Sequence, residues 1–453
     1  MCGLCGFLNK NNASDHELRT QVTRMNEALS HRGPDDSGFW VDEKAGLALA
    51  FKRLSILDLT LAGAQPMVSP CGRYLIVFNG EIYNHQKLRN ILEEEGGHFE
   101  WRGRSDTETL LAALRHWGVE KTLRLLNGQF AFAFWDKSEG VLYLARDRMG
   151  IKPIYYGRHN GTFLFGSELK ALKEHPDFRG IVDRQALTLY LRYGYVPSPW
   201  SIYQGINKLP PAHYIKVSDN GESISDPICF WDLGQIAQEG AAHPRYDSSQ
   251  LIQELDELLL DAIKIRMAAD VPLGAFLSGG YDSSLVVALM QAQSVNPVQT
   301  FSIGFHEPKF NEAIYAKEVA AYLGTDHTEL YIKPEEALNV IPKIPSIWDE
   351  PFSDSSQIPT YLVSQLTRKH VTVSLSGDGG DEQFFGYSRY VQGVAVGRFF
   401  DSVPHSARKY IGNVLGKVSI NSVNRIGENL PGSLNNPMLG DKLRKFSNLI
   451  KEP

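Results

Sequence analysis

Cys2, directly after the first methionine, is the residue best placed to act as a nucleophile. If Met1 is removed, Cys2 carries a thiol and a free α-amine together. An α-amine has a reference pKa of about 8, so a neutral fraction can accept the thiol proton. Two other interpretations stay open: Cys2 and Cys5 form a C-x-x-C redox pair or half of a zinc site, or Cys2 is an inert buried thiol. Zinc would need two more ligands, and Cys71 and Cys229 have no C-x-x-C partner.

Several polar residues downstream could complete a site around that thiol. Asn79 and Gly80 directly follow the apolar run YLIVF. At the end of a strand they would offer a side-chain amide and a backbone N–H to an oxyanion. Arg53 could hold a carboxylate, and Glu81 with Asp106 could hold an ammonium group. On spacing alone, each of these three charges could instead be a solvated surface charge.

The segment GAFLSGGYDSS at residues 274–284 indicates a strand, a Gly-Gly turn and the start of a helix. Its small residues let backbone N–H groups converge, and the helix adds the positive end of its dipole. Such a nest suits the phosphates of a nucleotide or pyrophosphate. The segment lacks the Walker lysine and the G-x-G-x-x-G spacing. The residues concerned are Ser278, Gly279, Gly280, Asp282 and Ser283.

A second acidic turn, LSGDGGDE at residues 375–382, follows a later predicted strand. In a parallel sheet, the carboxyl ends of the strands line one crevice. Asp282 and Asp381 could therefore meet there and share one Mg²⁺ that bridges phosphate oxygens. The alternative is that both turns use Gly and Ser for backbone geometry alone. The two turns together favour a nucleotide site.

The composition is that of a globular protein long enough for two or three domains. Of 453 residues, 43% are hydrophobic and 22% are charged, which excludes a disordered chain and a collagen. The net charge is −6, so no basic excess favours nucleic acid or an anionic membrane. Four cysteines are too few for a disulfide scaffold, and neither a secretory signal nor a membrane-length apolar run is present. We expect a cytoplasmic protein with no nucleic-acid or membrane partner.

Short β-branched and aromatic runs, bounded by Gly, Asp and Asn, predict strands in the first half. A helix over residues 106–115 is expected to begin after Ser105 as its N-cap. Strands with interspersed helices and little β–α alternation favour an α+β domain with antiparallel sheets. The predicted strands are 74–78, 129–135, 141–145 and 154–156.

A polar stretch at 219–249 is predicted to be a linker, after which strands and helices alternate. Such alternation indicates an α/β domain with a parallel sheet that is covered on both faces. The predicted domains are therefore residues 2–218 and 250–453. The expected helices of the second domain are 251–268, 283–293 and 311–323, and its strands are 273–277, 300–304, 327–332 and 371–375.

Several stretches, in this order along the chain, resemble the glutamine-hydrolysing asparagine synthetase family. They are MCGLCGF, HRGPDDSG, RLSILDL, FNGEIYNH, RSDTE, ARDRMGIKPIYY, FGSELKAL, LSGGYDSS and LSGDGGDE. The first half resembles a class II glutamine amidotransferase domain, which implies an N-terminal nucleophile (Ntn) hydrolase sandwich. The second half resembles an ATP-dependent synthetase domain, which implies a nucleotide-binding parallel sheet like that of the adenine nucleotide α-hydrolases.

The resemblance implies roles for residues of the first half. Cys2 would attack the side-chain amide of glutamine, and Asn79 with Gly80 would stabilise the tetrahedral oxyanion. Arg53 would hold the α-carboxylate of the substrate. Further orientation of glutamine would come from carbonyls around Ile56 and Leu57 and from Glu81 and Asp106. The released ammonia would pass internally to the second domain.

In the second half, the resemblance implies binding of ATP and Mg²⁺. Asp378 matches the acidic position tied to the acyl-adenylate, which is Glu in some relatives, and is expected to be catalytic. Asp282 and Asp381 match carboxylates that hold Mg²⁺. Aspartate would become β-aspartyl-AMP with release of pyrophosphate, and ammonia would displace AMP to give asparagine. The expected ATP contacts are Leu277, Ser278, Gly279, Gly280, Asp282, Ser283, Ile303, Ser376 and Gly377.

Two departures from the family pattern are noted. The family continues beyond Pro453 with helices that supply a catalytic lysine and part of the acceptor pocket, so we expect a C-terminally shortened chain. Cys5 takes a position that is usually not a thiol, and we expect it to be small and buried. Two alternative functions stay open: amidation of another carboxylate, such as a sugar acid in surface polysaccharide synthesis, and a non-catalytic binding or redox module with a vestigial nucleotide site. A homodimer is compatible with these motifs.

Overall fold

The computed structural model describes residues 1–9, 13–96, 99–307, 311–431, 436 and 438–451. The chain divides into two compact units, Met1–Ser376 and Gly377–Pro453. The strands are β1 (Gly3–Leu8), β2 (Asp36–Asp42), β3 (Leu47–Arg53), β4 (Met67–Val68), β5 (Tyr74–Ile82), β6 (Gly128–Asp136), β7 (Val141–Arg146), β8 (Tyr155–His159), β9 (Thr162–Gly166), β10 (Ile206–Lys208), β11 (His213–Ser218), β12 (Ser223–Ile224), β13 (Ile228–Cys229), β14 (Leu273–Phe276), β15 (Gln299–Phe305), β16 (Asp326–Ile332) and β17 (Val373–Leu375). The helices are α1 (Asp15–Glu27), α2 (His85–Glu94), α3 (Asp106–Leu125), α4 (Leu169–Lys173), α5 (Arg184–Tyr193), α6 (Leu233–Ala242), α7 (Ser248–Arg266), α8 (Tyr281–Ala292), α9 (Ala313–Leu323), α10 (Pro334–Leu338), α11 (Ile344–Ile347), α12 (Gln357–Thr367), α13 (Gly380–Phe384), α14 (Ser388–Ser402), α15 (His405–Gly416), α16 (Ile420–Glu428) and α17 (Leu439–Leu449).

Two antiparallel sheets form the first part of the larger unit. One has the strand order β10-β8-β9-β1-β3-β2, and the other has the order β12-β11-β7-β6-β5-β4, with β13 also paired to β11. Their facing sides share an apolar cluster that contains Leu4 and Phe51 from the first sheet and Val77 and Trp135 from the second. Because side chains alternate along a strand, each sheet has a second apolar face. Helix α1 covers that of the first sheet, and α2 with α3 covers that of the second. The expected α+β sandwich with antiparallel sheets is confirmed.

The predicted strands of the first half are confirmed, and β5 is longer than predicted. It continues to Ile82, and within it Asn79 pairs with Ala131 and Gly80 pairs with Phe130 of β6. The expectation that Asn79 and Gly80 follow the strand is therefore wrong, because pairing with β6 continues past both residues to Ile82. A position inside a sheet holds their backbone more rigidly than a loop would.

Helix α3 begins as predicted and runs further than predicted. The backbone N–H of Glu108 donates to Ser105 Oγ at 3.3 Å, so Ser105 is the N-cap. The element continues to Leu125 across a break at Gly118, whose φ of 77° only glycine adopts at little cost. The first turn of α3 carries Asp106, whose carboxylate accepts the backbone N–H of Ile82 in β5 at 2.9 Å and so holds the turn against the second sheet.

The predicted parallel sheet is confirmed in the second part of the same unit. Its strand order is β16-β15-β14-β17, and all three pairings are parallel. One apolar cluster joins α7, α8 and α9 to β14, and another joins α12 to β15 and β16. All the predicted strands and helices of this region are present, with ends that differ by a few residues. This sheet places the ends of β14 and β17 beside each other.

Part of the stretch predicted as a linker lies in the second antiparallel sheet. Strands β12 and β13 both pair with β11, and α6 follows them with none of its side chains buried. The domain limits at residues 218 and 250 stay a prediction. Within the described ranges, no helix is long and apolar enough to span a bilayer.

The smaller unit, Gly377–Pro453, is helical in the part that the structure describes. Ser447 Oγ of α17 donates to the carbonyl of Gly412 in α15 at 2.8 Å. The backbone N–H of Gly440 donates to the side-chain oxygen of Asn424 in α16 at 2.7 Å. These bonds tie α17 to both of its helical neighbours.

Candidate active site

A cavity of about 300 Å³ lies beside the end of β3, strand β5 and the start of α3. Its wall contains every residue for which a role in glutamine binding or hydrolysis is predicted. These residues are Cys2, Arg53, Ile56, Leu57, Asn79, Gly80, Glu81 and Asp106. The fold thus brings one thiol, one guanidinium, one amide and two carboxyl groups to a single space.

The Cys2 thiol lies against the backbone of Leu54. The N–H of Leu54 donates to Cys2 Sγ at 3.3 Å, and Sγ donates to the Leu54 carbonyl at 3.4 Å. Burial raises the pKa of the Cys2 thiol, so a base must remove its proton. Burial lowers the pKa of the adjacent α-amine, here that of Met1, to about 6, with a further contribution from Arg32 and Lys152. The Met1 amine is therefore mostly neutral at pH 7.

Cys2 and Cys5 lie on opposite faces of the first sheet. Cys2 packs against the cluster between the sheets, whereas Cys5 belongs to the cluster under α1. Cys5 is 0% exposed, which confirms the expectation of a small buried side chain. The two thiols do not form a C-x-x-C disulfide in this geometry, and all four cysteines are free.

Asn79 has an amide group that is buried without a partner. The residue is 1% exposed, and its Nδ2 makes no hydrogen bond with any described residue. A buried amide donor of this kind normally has a partner, so an unpartnered one next to a cavity indicates that a ligand oxygen belongs there. Gly80 has no room for a side chain, since an added Cβ would lie 2.2 Å from the Gln129 carbonyl oxygen. The amide and the glycine are thereby fixed at one edge of the cavity.

The Arg53 guanidinium is held by the loop that follows β3. It donates to the Thr60 carbonyl at 3.1 Å and also to the carbonyl of Asp58. The same loop carries Ile56, whose carbonyl accepts from the backbone N–H of Asp270 at 2.9 Å. A bond from Asp58 N–H to the Asp270 carboxylate, also 2.9 Å long, fixes the loop a second time. Arg53 is therefore oriented by backbone oxygens, which leaves its positive charge without a carboxylate partner in these bonds.

Glu81 and Asp106 have carboxyl groups with raised pKa values. Burial, with a contribution from Asp106, raises the pKa of Glu81 to about 7. Burial raises the pKa of Asp106 to about 6, although its carboxylate accepts the backbone N–H of Ile82 at 2.9 Å. Two carboxyl groups with raised pKa values in one cavity are suited to a bound cation.

Sequence reasoning missed part of the cavity wall. Lys152 is 8% exposed, and burial lowers the pKa of its ammonium group. Residues 372–374, from β17 and the position before it, come from the parallel sheet. Residues 372–374 lie in none of the stretches that resemble the family. Lys152 lies in one of them, ARDRMGIKPIYY, to which no role at the site is assigned. The missed residues include Gln65, Gln129, Lys152, Thr372, Val373 and Ser374.

A second cavity, of about 400 Å³, lies at the end of β14. Leu277, Ser278 and Ile303 line it, together with aromatic residues of β14 and β15 and with Pro359 of α12. Three of the predicted nucleotide contacts thus share one space, in which an apolar wall adjoins the Gly-Gly turn. Such a wall with a polar end suits a heterocyclic base with an attached sugar phosphate.

The Gly-Gly turn is held by a pair of hydroxyl groups. Ser278 Oγ and Ser283 Oγ are 2.9 Å apart, and the backbone N–H of Gly280 donates to Ser278 Oγ at 3.3 Å. Gly279 has a φ of 81°, and an added Cβ would lie 2.7 Å from the backbone of α9. Asp282 follows in the first turn of α8 and is half-buried. The turn therefore has the small residues and the helix N-terminus that a phosphate site requires.

The remaining predicted residues lie on either side of residue 376 in the sequence, where the first unit ends. Ser376 is one residue beyond β17 and ends the first unit, whereas Gly377, Asp378 and Asp381 belong to the second. Asp381 lies in the first turn of α13, after Gly379 with a φ of 95°. Among the described residues, no group of three His, Cys, Asp or Glu side chains could hold a metal ion. A magnesium site of one or two carboxylates and nucleotide phosphates needs no such group.

Two family models match this chain. A glutamine amidotransferase domain matches residues 1–228, and an asparagine synthase domain matches residues 254–453. The glutamine-hydrolysing asparagine synthetase 1 of Bacillus subtilis (strain 168) is 37% identical over 417 residues, which are 91% of this chain and 62% of the relative.

Other relatives match along nearly the same length. The putative glutamine-hydrolysing asparagine synthetase 2 of Methanocaldococcus jannaschii is 38% identical, over 87% of this chain and 77% of the relative. Amidase chyE of Penicillium rubens is 29% identical, over 86% of this chain and 60% of the relative. The chain thus spans about three fifths of the Bacillus and Penicillium relatives. With both family models in order and these identities, the chain belongs to the glutamine-hydrolysing asparagine synthetase family.

Proposed function

We propose that this chain is a glutamine-dependent, ATP-driven amidotransferase that makes asparagine from aspartate. The observation that carries the proposal is the first cavity, where Cys2 shares one space with an unpartnered Asn79 amide, with Arg53 and with two carboxyl groups. Glutamine has an electrophilic amide, a carboxylate and an ammonium group, and each finds a complementary group there. Membership of the family supports aspartate as the acceptor.

Glutamine hydrolysis would begin at the Cys2 sulfur. With Met1 removed, the α-amine of Cys2 takes the thiol proton, and Sγ attacks the side-chain amide carbon. Asn79 Nδ2 and the Gly80 N–H donate to the oxyanion that forms. The protonated amine then gives its proton to the leaving ammonia, and water hydrolyses the thioester to release glutamate.

The α-carboxylate and the α-ammonium group of glutamine would be held by charged side chains of the cavity wall. Arg53 pairs with the α-carboxylate, and Glu81 and Asp106 pair with the α-ammonium group. A bound ammonium group lowers the pKa of both carboxyl groups, so binding favours their ionised forms. Carbonyls around Ile56 and Leu57 complete the contacts to the amino group.

Glutamine binding should weaken as the pH falls from 8 to 6. Glu81, with a pKa of about 7, is mostly ionised at pH 8 and mostly protonated at pH 6, and Asp106 with a pKa of about 6 follows it. Protonation removes the charge that pairs with the ammonium group, so KM for glutamine should rise about tenfold over this range. Glu81→Gln should have a high KM already at pH 8 and a flatter profile. Glutamate release at several pH values measures both, and a KM that is constant from pH 6 to 8 in the unsubstituted chain would contradict the prediction.

Ammonia would leave the first cavity toward the parallel sheet. Residues 372–374 line the cavity, and Ser376 and Gly377 follow β17 directly. Transfer through protein keeps ammonia unprotonated, whereas in water near pH 7 it would become ammonium and could not attack a carbonyl. We propose β17 as the wall along which ammonia reaches the second site.

The second cavity and the turn after β14 would bind ATP. Leu277 and Ile303 would contact the nucleoside, and backbone N–H groups from Ser278 to Ser283 would bind the pyrophosphate. Ser376 and Gly377 would add contacts from the end of β17. Asp282 and Asp381 would hold Mg²⁺, which neutralises phosphate charge when bound. Asp378 would act at the acyl-adenylate that aspartate forms with ATP.

Paired release of glutamate and pyrophosphate tests the proposal. Residues 1–453 are incubated with glutamine, aspartate and ATP, with and without Mg²⁺. Glutamate release is expected with or without Mg²⁺, and pyrophosphate release is expected only when Mg²⁺ is present. With Mg²⁺ present, glutamate without pyrophosphate would contradict the aspartate-activating half, and a panel of sugar acids would then identify another acceptor. Neither product, after verified removal of Met1, would overturn the proposal.

We also infer a cytoplasmic location and a homodimer. The four free cysteines support a reducing compartment. Sedimentation velocity of the purified chain distinguishes a dimer from a monomer.

A further inference from the structure

A chain of buried charged groups runs from the backbone of Cys2 to the second half of the protein. Arg32 Nε donates to the Cys2 carbonyl at 2.8 Å, and Arg32 Nη1 lies 2.6 Å from Glu168 Oε1. The other Glu168 oxygen accepts from Lys170 Nζ. Lys170 in turn pairs with Asp349, whose Oδ1 lies 3.2 Å from Lys170 Nζ.

The Asp349 end of this chain is also tied to backbone. Its Oδ2 accepts from the backbone N–H of Lys170 at 3.0 Å, and its side chain is 8% exposed. Burial raises the pKa of the Glu168 carboxyl, but bonds from His31, Arg32 and Lys170 outweigh it and hold that pKa at about 2. Glu168 is therefore ionised at every physiological pH. We name Arg32, Glu168, Lys170 and Asp349 the charge chain.

Asp349 opens a segment that belongs to the synthetase half. The segment DEPFSDSS at residues 349–356 leads directly into α12, and Pro359 and Val363 of that helix line the second cavity. The charge chain therefore connects the backbone of Cys2 with the segment that leads into the helix at the second cavity. A hydrolase that must not waste ammonia gains from a nucleophile that is in place only when the other half is docked.

The next residue, Glu350, makes contacts of the same kind that do not reach Cys2. Its carboxylate pairs with Lys208 Nζ at 2.5 Å, accepts the Tyr155 hydroxyl at 3.2 Å and accepts the backbone N–H of Ile202 at 2.8 Å. Its side chain is 10% exposed, close to the value for Asp349. Asp349 and Glu350 thus both bond to residues of the first half. Only the bonds of Asp349 lead on, through the charge chain, to Cys2.

We propose that the charge chain positions Cys2, so that glutamine hydrolysis depends on a carboxylate of the synthetase half. This inference rests on the proposed glutaminase activity. Arg32 fixes the Cys2 carbonyl, and with it the direction of the thiol toward the cavity. Loss of the Asp349 charge frees Lys170 to draw Glu168 away from Arg32. A nucleophile displaced by a fraction of an ångström loses much of its rate, while the residues that bind glutamine stay in place.

Asp349→Asn is therefore expected to lower kcat for glutamine hydrolysis about tenfold and to leave KM within about twofold. Glu168→Gln should have the same effect on kcat and KM, and it replaces Asp349→Asn as the test if that variant fails to fold. The double variant should be no slower than the slower single variant, because both substitutions break one chain. Asp349→Glu, which keeps the charge, should recover most of the rate.

Glu350→Gln is the matched control, with thermal unfolding measured for every variant. It removes a buried carboxylate at the same docking segment, and its kcat should stay within about twofold of the unsubstituted chain. Equal loss of rate in Glu350→Gln would assign the effect to docking in general and would overturn the inference. Unchanged kcat in Asp349→Asn, or multiplied effects in the double variant, would overturn it as well. Absence of glutamine hydrolysis in the unsubstituted chain would instead overturn the proposed function, and the inference with it.

Discussion

Cys2→Ala is expected to abolish glutamine hydrolysis, with kcat lowered about 10³-fold or more. Of the four cysteines, Cys2 alone lines the first cavity; Cys5, Cys71 and Cys229 do not. Without sulfur no thioester forms, and the binding groups alone give little acceleration. Glutamate release measures the loss directly.

The synthetase activity of the second half should be retained in Cys2→Ala. Ammonium chloride can replace glutamine as the nitrogen source, so Cys2→Ala should still release pyrophosphate from aspartate and Mg-ATP. Cys71→Ala is the control for loss of a thiol, because Cys71 is exposed and lies outside the cavity. Glutaminase activity that persists in Cys2→Ala, or disappears in Cys71→Ala, would contradict the assignment of the nucleophile.

The secondary structure was largely predictable, because the apolar patterns of strands and of helices can each be seen within a short stretch of sequence. Alternating and continuous apolar runs indicate β5, β6 and β7, and a helical repeat indicates α7. The end of β5 was not predictable in the same way. Asn79, Gly80 and Glu81 are polar or small, which is typical of a strand end, yet pairing with β6 carries the strand to Ile82. Tertiary pairing overrides local preference at this point.

The site was predictable only where it consists of motifs. Cys2, Asn79, Arg53 and Asp106 lie in stretches typical of the family, and the structure brings them to one cavity. Residues 372–374 are more than 260 positions from Asp106 in the sequence, and only the docking of β17 brings them to the same wall. Such a contact leaves no local pattern, because it depends on how two separate sheets pack.

The charge chain could not be predicted either, because it joins residues that are far apart in the sequence. Glu168 and Lys170 lie in FGSELKAL, one of the stretches that resemble the family. In the structure the Glu168 side chain is 15% exposed and bonds to residues far away in sequence. Charged residues in such a stretch are usually solvent-exposed, so burial of this group could be seen only in three dimensions.

Asn79→Ala is expected to lower kcat for glutamine hydrolysis by about 10²- to 10³-fold and to change KM little. Its Nδ2 has no protein partner among the described residues, so the substitution removes no hydrogen bond that stabilises the fold. The donor is needed when the amide carbon becomes tetrahedral and its oxygen gains charge, so the loss falls on the transition state and not on the bound substrate. Initial rates of glutamate release over a range of glutamine concentrations separate the two parameters.

Asn79→Asp sharpens the result, since it keeps the shape of the side chain and replaces the amide donor by a carboxylate. If the amide acts on the oxyanion, a negative charge in its place should slow hydrolysis at least as much as alanine does, although Asn79→Asp fills the same volume. If the amide merely fills space, Asn79→Asp should be close to the unsubstituted chain and Asn79→Ala should be the slower variant. A raised KM with unchanged kcat in both variants would instead make Asn79 a residue that binds glutamine in its ground state. The order of the two rates therefore decides whether the unpartnered amide is an oxyanion donor.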